Sequence, residues 1–237
     1  MNYYADSNIG RSRQNNEDNF YAEKNIFIVA DGMGGHLGGE VASRMAVDII
    51  KKSMIKELGK KKGINLGIAA QDAIMLANSR ILSESRKKKE LSGMGTTVTL
   101  CAIKDKDCLI ANAGDSRAYY YSNGSFRQVT TDHSLVEEMV RAGQITAEQA
   151  RYHPYKNVIT NVVGYQQDIY IDTFWLEVSP GDKLLLCTDG LTSAVDDRGV
   201  LRSISMDATP KEICRDLIEK ANMMGGPDNI TVIVIEI

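Results

Sequence analysis

The chain has 237 residues, 43% of them hydrophobic, with 28 Lys and Arg against 31 Asp and Glu for a formal net charge of -3. That length suits one large domain with a sizeable core, and the slightly acidic balance argues against the basic footprint of a nucleic-acid-binding protein. No apolar run approaches the length of a membrane span, and the N-terminus, Met1 to Asp6, lacks the basic and then apolar stretch of a signal peptide.

Residues 2 to 30 read as two strands around a loop. The loop is Arg11 to Asp18, and the strands are Asn19 to Ala22 and Ile26 to Ala30. A helix is predicted from about Gly39 to Leu58, because Val41, Ala42, Met45, Ala46, Ile49 and Ile55 recur at helical spacing. Gly59 suits its C-cap, and Lys60 to Lys62 complement its C-terminal dipole. A second amphipathic helix runs from about Asn65 to Arg86 through Ala69, Ala73, Leu76, Ala77 and Ile81. The basic run Arg86 to Lys89 reads as its solvated end.

The pattern then turns to strands: Thr96 to Ile103, Cys108 to Ala113, Ala118 to Tyr121 and Phe126 to Val129, with Asn123-Gly124 as a hairpin turn. Residues 132 to 165 break that rhythm. They hold a helix near Leu135 to Ala142 and a short one near Thr146 to Arg151, where Thr146 and Gln149 form a capping box. A polar insertion of this length reads as a flap beside a site. Strands follow at Ile169 to Val178 and Lys183 to Thr188, separated by the turn Pro180-Gly181-Asp182, and then a short helix from Asp196 to Ile204. Thr209, Pro210 and Glu212 open the last helix, Gly225-Gly226 close it, and Thr231 to Ile237 is the final strand. Strands, two helices, many antiparallel strands, a helix and a strand make an α+β fold. The cysteines Cys101, Cys108, Cys187 and Cys214 form no CxxC pair, and three lie in apolar patterns, which suits a reducing, cytoplasmic setting.

The recurring chemical feature is aspartate in glycine-rich surroundings at the edges of apolar strands. Asp31 follows Phe27-Ile-Val-Ala and precedes Gly32-Met33-Gly34-Gly35. Asp115, Asp189, Asp228 and Asp18 have comparable settings. One such aspartate is ordinarily a turn residue. Five converging would repel one another severely without cations, and all-oxygen ligation selects Mg²⁺ or Mn²⁺ over zinc. His36, His133 and His153 are scattered and show no zinc-site spacing; His36 is as well placed to line the site as to cap a helix. No nucleophile elbow, Walker A loop or cysteine followed six positions later by arginine is present. Two oxygen-bound metals would suit hydrolysis of a phosphate ester, and Arg13 is the candidate phosphate ligand, although a surface ion pair is locally the commoner role.

Seven segments, in order, resemble the metal-dependent Ser/Thr protein phosphatases, the PPM or type 2C family, in its compact bacterial form. They are Arg13 to Asp18, Ala30 to Gly35, Gly93 to Thr97, Gly114 to Arg117, Thr131 to Ser134, Thr188 to Leu191 and Gly226 to Thr231. The resemblance covers nearly the whole chain. It implies one catalytic domain over residues 1–237, a four-layer αββα sandwich of two antiparallel sheets, with the flap around 132–165. It also implies two core Mn²⁺ or Mg²⁺ ions, with Asp31 bridging them, Asp189 and Asp228 on the first and the Gly32 carbonyl on the second. Glu17 and Asp18 would hold metal-bound waters, Asp115 with Asp189 a third ion, and Arg13 the substrate phosphate. Met33 stands where many animal members carry a histidine proposed as general acid, so the resemblance assigns no side chain as proton donor; a metal-bound water is one candidate. The implied activity is hydrolysis of phosphoserine and phosphothreonine by attack of a metal-activated water, without a phosphoenzyme. The implied partners are phosphorylated proteins, a bacterial Ser/Thr kinase and its targets, with no nucleic acid or membrane. A monomer is expected, and the chain ends at the last strand with no tethered sensor or anchor.

Overall fold

The central strands are apolar on both faces because each face is covered by another layer. The computed structural model describes residues 1–35, 37–60 and 65–237; His36, Lys61 and Lys62, to which the sequence assigned roles, lie outside the described residues. In chain order the elements are β1 (Asn2–Asn8), β2 (Asn19–Glu23), β3 (Ile26–Ala30), β4 (Gly32–Met33), α1 (Gly38–Leu58), α2 (Leu66–Lys87), β5 (Gly95–Thr96), β6 (Val98–Lys104), β7 (Asp107–Ala113), β8 (Arg117–Ser122) and β9 (Ser125–Gln128). There follow α3 (Leu135–Arg141), α4 (Ala147–Arg151), β10 (Asp172–Glu177), β11 (Lys183–Cys187), α5 (Asp189–Thr192), α6 (Asp197–Ile204), α7 (Pro210–Met223) and β12 (Ile230–Glu236).

The strands form two five-stranded sheets, β1-β12-β11-β8-β9 and β10-β7-β6-β3-β2, with β4 and β5 as a separate ribbon. Every pairing is antiparallel. The two-residue period of a strand sorts the side chains into layers. Ile26, Ile28 and Ala30 of β3 join α1 and α2 in one apolar cluster, while Phe27 and Val29 point into the layer between the sheets. Val232 and Val234 of β12 pack with α6 and α7, while Ile233 and Ile235 enter the same middle layer. The result is the expected αββα sandwich, with three apolar layers holding four structural ones together.

The helix ends follow the predicted chemistry. Thr146 with Gln149 and Thr209 with Glu212 form capping boxes, and Gly225 and Gly226 leave α7 in left-handed conformations. Asn123 and Gly124 both have positive φ in the β8–β9 turn. Four features differ from expectation. β1 is a strand that the polar segment Asn-Tyr-Tyr-Ala-Asp-Ser-Asn did not announce; it pairs with β12 as an edge strand. The β4–β5 ribbon joins two glycine-rich segments by only two residue pairs. β10 starts at Asp172 rather than Ile169. Asp189 opens the single turn α5, in a stretch to which the sequence assigned no element.

The flap is tied down at both stems. Leu135 N donates to Val158 O (2.9 Å) and Thr160 N to His133 O (2.9 Å), and Ser134 bridges Ile159. Farther along, Asn78 of α2 reaches across with its side-chain amide to the carbonyls of Gln166 and Gln167, both at 3.1 Å, and accepts from Gly164 N.

Candidate active site

The five aspartates arrive from both sheets at one end of the sandwich. Asp18 precedes β2 and Asp31 follows β3 in one sheet; Asp189 follows β11 and Asp228 precedes β12 in the other; Asp115 lies on the loop that crosses from β7 to β8. Each is fixed through its backbone or its neighbours. Asp31 N donates to Thr97 Oγ1 (3.0 Å), while Asp31 O accepts from Thr97 N (2.9 Å) and Thr96 Oγ1 (2.8 Å). The segment Gly93 to Thr97 is thereby the strut for Asp31. Thr97 Oγ1 also meets Ser116 Oγ at 2.7 Å, which ties the Asp31 and Asp115 loops together. Asp18 Oδ2 accepts from Thr188 Oγ1 (2.8 Å) and Thr231 Oγ1 (2.7 Å). A carboxylate from one sheet is thus held by two hydroxyls of the other.

Glycine permits the tightest approach at Gly190. A Cβ there would collide with the backbone carbonyl of Asn229, so α5 and the Asp228 loop come closer than any side chain allows. Asn229 in turn fastens the N-terminal loop. Its Oδ1 accepts from Glu17 N (2.8 Å), and its Nδ2 donates to Ile9 O and Asn15 O, both at 3.0 Å. Glu17 O accepts from Gly32 N (3.2 Å) and Ser43 Oγ (2.6 Å). Arg13 reaches the cluster by pairing with Asp228, Nη2 to Oδ2 at 2.7 Å, with its side chain half exposed.

The electrostatics of this end are unfavourable as it stands. Burial, followed by the charges of Asp18, Asp189 and Asp115, pushes the Asp31 carboxyl well above the ordinary range. Burial and then Asp189 and Asp132 do the same to Asp115. Burial first, then the neighbouring charge of Asp228, raises Asp189. Asp18 is pushed up to about 7 by burial, against the lowering effect of its two threonine hydroxyls. Asp18 and Asp115 are buried, whereas Asp31 and Asp189 keep part of their surface open, and Asp115 and Asp189 line a cleft. Protein packed on their inner side still removes most of their hydration.

Three buried carboxylate oxygens, Oδ1 of Asp18, Asp115 and Asp189, have no hydrogen-bond donor. Natural proteins satisfy such atoms, and a cation is the partner that would satisfy several at once. Among the described residues no three acidic, histidine or cysteine side chains already close into a finished cation cage. The fit to a metal therefore rests on the orphaned oxygens and the crowding. The donors are all oxygen, which fits a hard divalent ion. A groove of about 760 Å³ runs from Asp115 and Asp189 beneath the flap, past Arg117, Tyr152 and Lys156 to Arg198. A smaller depression of about 330 Å³ between β1 and β2 carries none of these aspartates.

The structure brings Arg13, Glu17, Asp18, Asp31, Gly32, Asp115, Asp189 and Asp228 to this one end. The residues that sequence reasoning did not single out are the supports Thr97, Thr188, Thr231 and Asn229. The signal for them was their adjacency to the aspartates within the quoted segments. His133 and His153 do not enter the cluster: His133 Nε2 faces Asp172 (3.2 Å), and His153 lies beside Tyr155 in the flap.

A family model for protein phosphatase 2C matches residues 8–216. The chain belongs to that family. It is a metal-dependent serine/threonine protein phosphatase, and its relatives match it nearly end to end. It is 39% identical over 232 residues to the serine/threonine phosphatase stp of Listeria monocytogenes, covering 96% of this chain and 92% of that one. The crystal structure of the Mycobacterium tuberculosis serine/threonine phosphatase PstP/Ppp superposes with a TM-score of 0.92 at 34% identity, over 99% of this chain and 97% of the other. The catalytic domain of PstP in complex with 2 manganese ions superposes with a TM-score of 0.88 at 33% identity, over 99% and 96%. The phosphatase therefore has the fold its motif order implied.

Proposed function

We propose that residues 1–237 form one catalytic domain and that the aspartate cluster is its metal centre. Asp31, Asp189 and Asp228, with the Gly32 carbonyl, would hold two divalent ions; Asp18 and Glu17 would act through water, and Asp115 with Asp189 would support a third. The observation that carries this reading is the set of three buried carboxylate oxygens without donors, inside a cluster whose members raise one another's pKa. When bound, the ions neutralise the phosphate and supply an activated water at neutral pH.

The residues of the chain provide the rest. Thr188 and Thr231 hold Asp18 in one orientation, and Thr96 and Thr97 hold the Asp31 backbone. Arg13 is half exposed, so turning its guanidinium from the Asp228 carboxylate to a substrate phosphate exchanges one hydrogen-bonded anion for another. Met33 offers no proton, and His133 turns its Nε2 toward Asp172, so neither is the acid for the leaving group. The substrates are phosphorylated proteins. The groove under the flap is placed to take the polypeptide on either side of the phosphate.

Mn²⁺ or Mg²⁺ suits the oxygen donors, and the natural counterpart is a Ser/Thr protein kinase and its targets. No described helix is long and apolar enough to cross a membrane. All four cysteines are buried and free, which suits a reducing, cytoplasmic location. Hydrolysis of para-nitrophenyl phosphate with Mn²⁺, Mg²⁺ or chelator, alongside Asp31→Ala and Asp228→Ala, tests the assignment. Metal-dependent turnover that both substitutions abolish is the expected result. Full turnover in either variant would remove that residue from the centre.

A further inference from the structure

The basic run that closes α2 stands at the same end of the molecule as the aspartates. α1 begins at this end with Gly38, and α2 ends here with Lys87. The link is Met94, packed so closely on Gly34 and Gly38 that a Cβ on either glycine would lie 3.1 Å from it. β5 follows directly and pairs with Gly32 and Met33. Arg86, Lys87, Lys88 and Lys89 are all exposed. The chain beyond them folds back on the helix: Ser92 N donates to Lys89 O (3.2 Å), Met94 N to Leu91 O (3.2 Å) and Gly93 N to Ser85 Oγ (3.1 Å), with Leu91 buried. The cations therefore stand on fixed backbone beside the ribbon that carries Gly32.

A helix C-terminus favours basic residues, which accounts for Arg86 and Lys87. Lys88 and Lys89 follow the helix and are not explained that way. Lys87 and Lys88 share one partner, Glu84, at 3.1 and 3.7 Å, while Arg86 and Lys89 form no ion pair among the described residues. Four consecutive cations thus face two neighbouring carboxylates, Glu84 and Glu90, in a chain whose net charge is -3. The surface between the run and the aspartates is rich in glycine. Gly34, Gly35 and Gly93 are exposed, and a Cβ on Gly35 or Gly93 would touch nothing. An extended polypeptide can approach such backbone closely. The crowded aspartates repel an acidic polypeptide, and a cationic surface at the same end offsets that repulsion.

We propose that Arg86 to Lys89 form a docking site for acidic segments of the substrate protein, so that the phosphatase favours phosphorylated residues with Asp and Glu nearby in the sequence. The proposal rests on the reading of the aspartate cluster as the place where the phosphate is hydrolysed. What is recognised is clustered carboxylate on an extended chain. The run acts away from the reacting phosphate: it speeds encounter with acidic substrates and holds them longer. The attraction is weakened by salt. A role confined to stabilising α2 would not discriminate between substrates.

The test compares kcat/KM in Mn²⁺ for phosphothreonine peptides carrying three Glu or three Ser. An extended peptide gains about 3.3 Å per residue, so the three residues are placed from about three to eight positions before or after the phosphothreonine. Three proteins are used: wild type, the fourfold variant Arg86→Gln/Lys87→Gln/Lys88→Gln/Lys89→Gln, and a charge-matched control, Lys52→Gln/Lys56→Gln/Lys104→Gln/Lys106→Gln. The control positions lie in the far half of α1 and at the β6–β7 turn, away from the aspartates. At low salt, wild type and control are expected to favour the Glu peptide of best spacing by about tenfold, falling to about twofold in about 0.5 M NaCl. The fourfold variant is expected to treat Glu and Ser peptides alike, and all three proteins to hydrolyse para-nitrophenyl phosphate equally. No preference in wild type, a preference that survives in the fourfold variant, or one lost equally in the control overturns the proposal. Sedimentation of wild type with phosphatidylglycerol vesicles, in place of a peptide preference, would assign the run to a lipid surface and also overturn it. Wild type inactive on para-nitrophenyl phosphate would strike the reading of the cluster instead. Fluorescence anisotropy of an unphosphorylated Glu peptide then decides the docking site: binding about fivefold tighter to wild type than to the fourfold variant upholds it, and equal binding overturns it. Should the fourfold variant fail to fold, Arg86→Gln/Lys89→Gln spares both Glu84 pairs, and an undiminished preference in that protein likewise overturns the proposal.

Discussion

Asp31 sits within electrostatic reach of Asp18, Asp189 and Asp115 with protein packed on its inner side, so in the absence of a cation this end of the molecule resists its charge. Replacing it by its neutral isostere separates stability from catalysis. Asp31→Asn is expected to stabilise the chelated protein by about 1 kcal/mol, about 2–4 °C in Tm, while removing metal-dependent turnover. Thermal melts in chelator beside a phosphate-release assay check both halves; a destabilised variant would show that hydrogen bonding, not repulsion, dominates at Asp31. Thr231 gives a complementary case. Thr231→Val keeps the shape and removes a hydroxyl from Asp18 Oδ2. The expected outcome is a loss of about 10- to 100-fold in activity or Mn²⁺ affinity, read by titration, with little change in fold.

At the scale of elements, the site depends on how closely α5 approaches the Asp228 loop. Gly190→Ala forces a methyl group against the Asn229 carbonyl and separates Asp189 from Asp228. Destabilisation of about 1–3 kcal/mol is expected, together with a fall in kcat larger than the change in KM, measured by urea unfolding and steady-state kinetics. Most elements were legible in the sequence because burial on one or two faces imposes a period. α1, α2 and α7 carry apolar residues at helical spacing, and β3, β6, β11 and β12 are short apolar runs bounded by turns. β1 was not legible: Asn2, Asp6, Ser7 and Asn8 belong to an edge strand that is only partly covered, so its sequence answers to β12 rather than to a core. α5 is one turn long, too short for any period. The aspartates were legible because a carboxylate at the end of an apolar strand is costly. Thr97, Thr188 and Thr231 were not, because a threonine in a strand is ordinary until its partner comes into view.

For the molecule as a whole, the crowded carboxylates set a pH dependence with a definite sign. Asp18, Asp31, Asp115 and Asp189 all have folded pKa values above the unfolded value of 3.8. The folded state then binds more protons than the unfolded one, so stability falls as pH rises. For Asp18 the window runs from about 4 to about 7. The chelated protein is expected to melt higher at pH 5.5 than at pH 7.5, with the dependence diminished or reversed in Mn²⁺. Scanning calorimetry across that range measures it, and a chelated protein that becomes more stable from pH 5.5 to 7.5 would contradict the burial of these groups.

The carboxylate cluster also lies across the join between the two sheets. Asp18 and Asp31 belong to one sheet and Asp189 and Asp228 to the other, so their mutual repulsion acts as a pressure tending to open the sandwich at that end. The two threonine hydroxyls on Asp18 resist that pressure, and an ion shared between the sheets would convert it into tension holding them shut. Pulled apart in a single-molecule stretching experiment, the protein should yield at a higher force in Mn²⁺ than in chelator. The same atoms would then serve as the rivet of the fold and the tool of its chemistry.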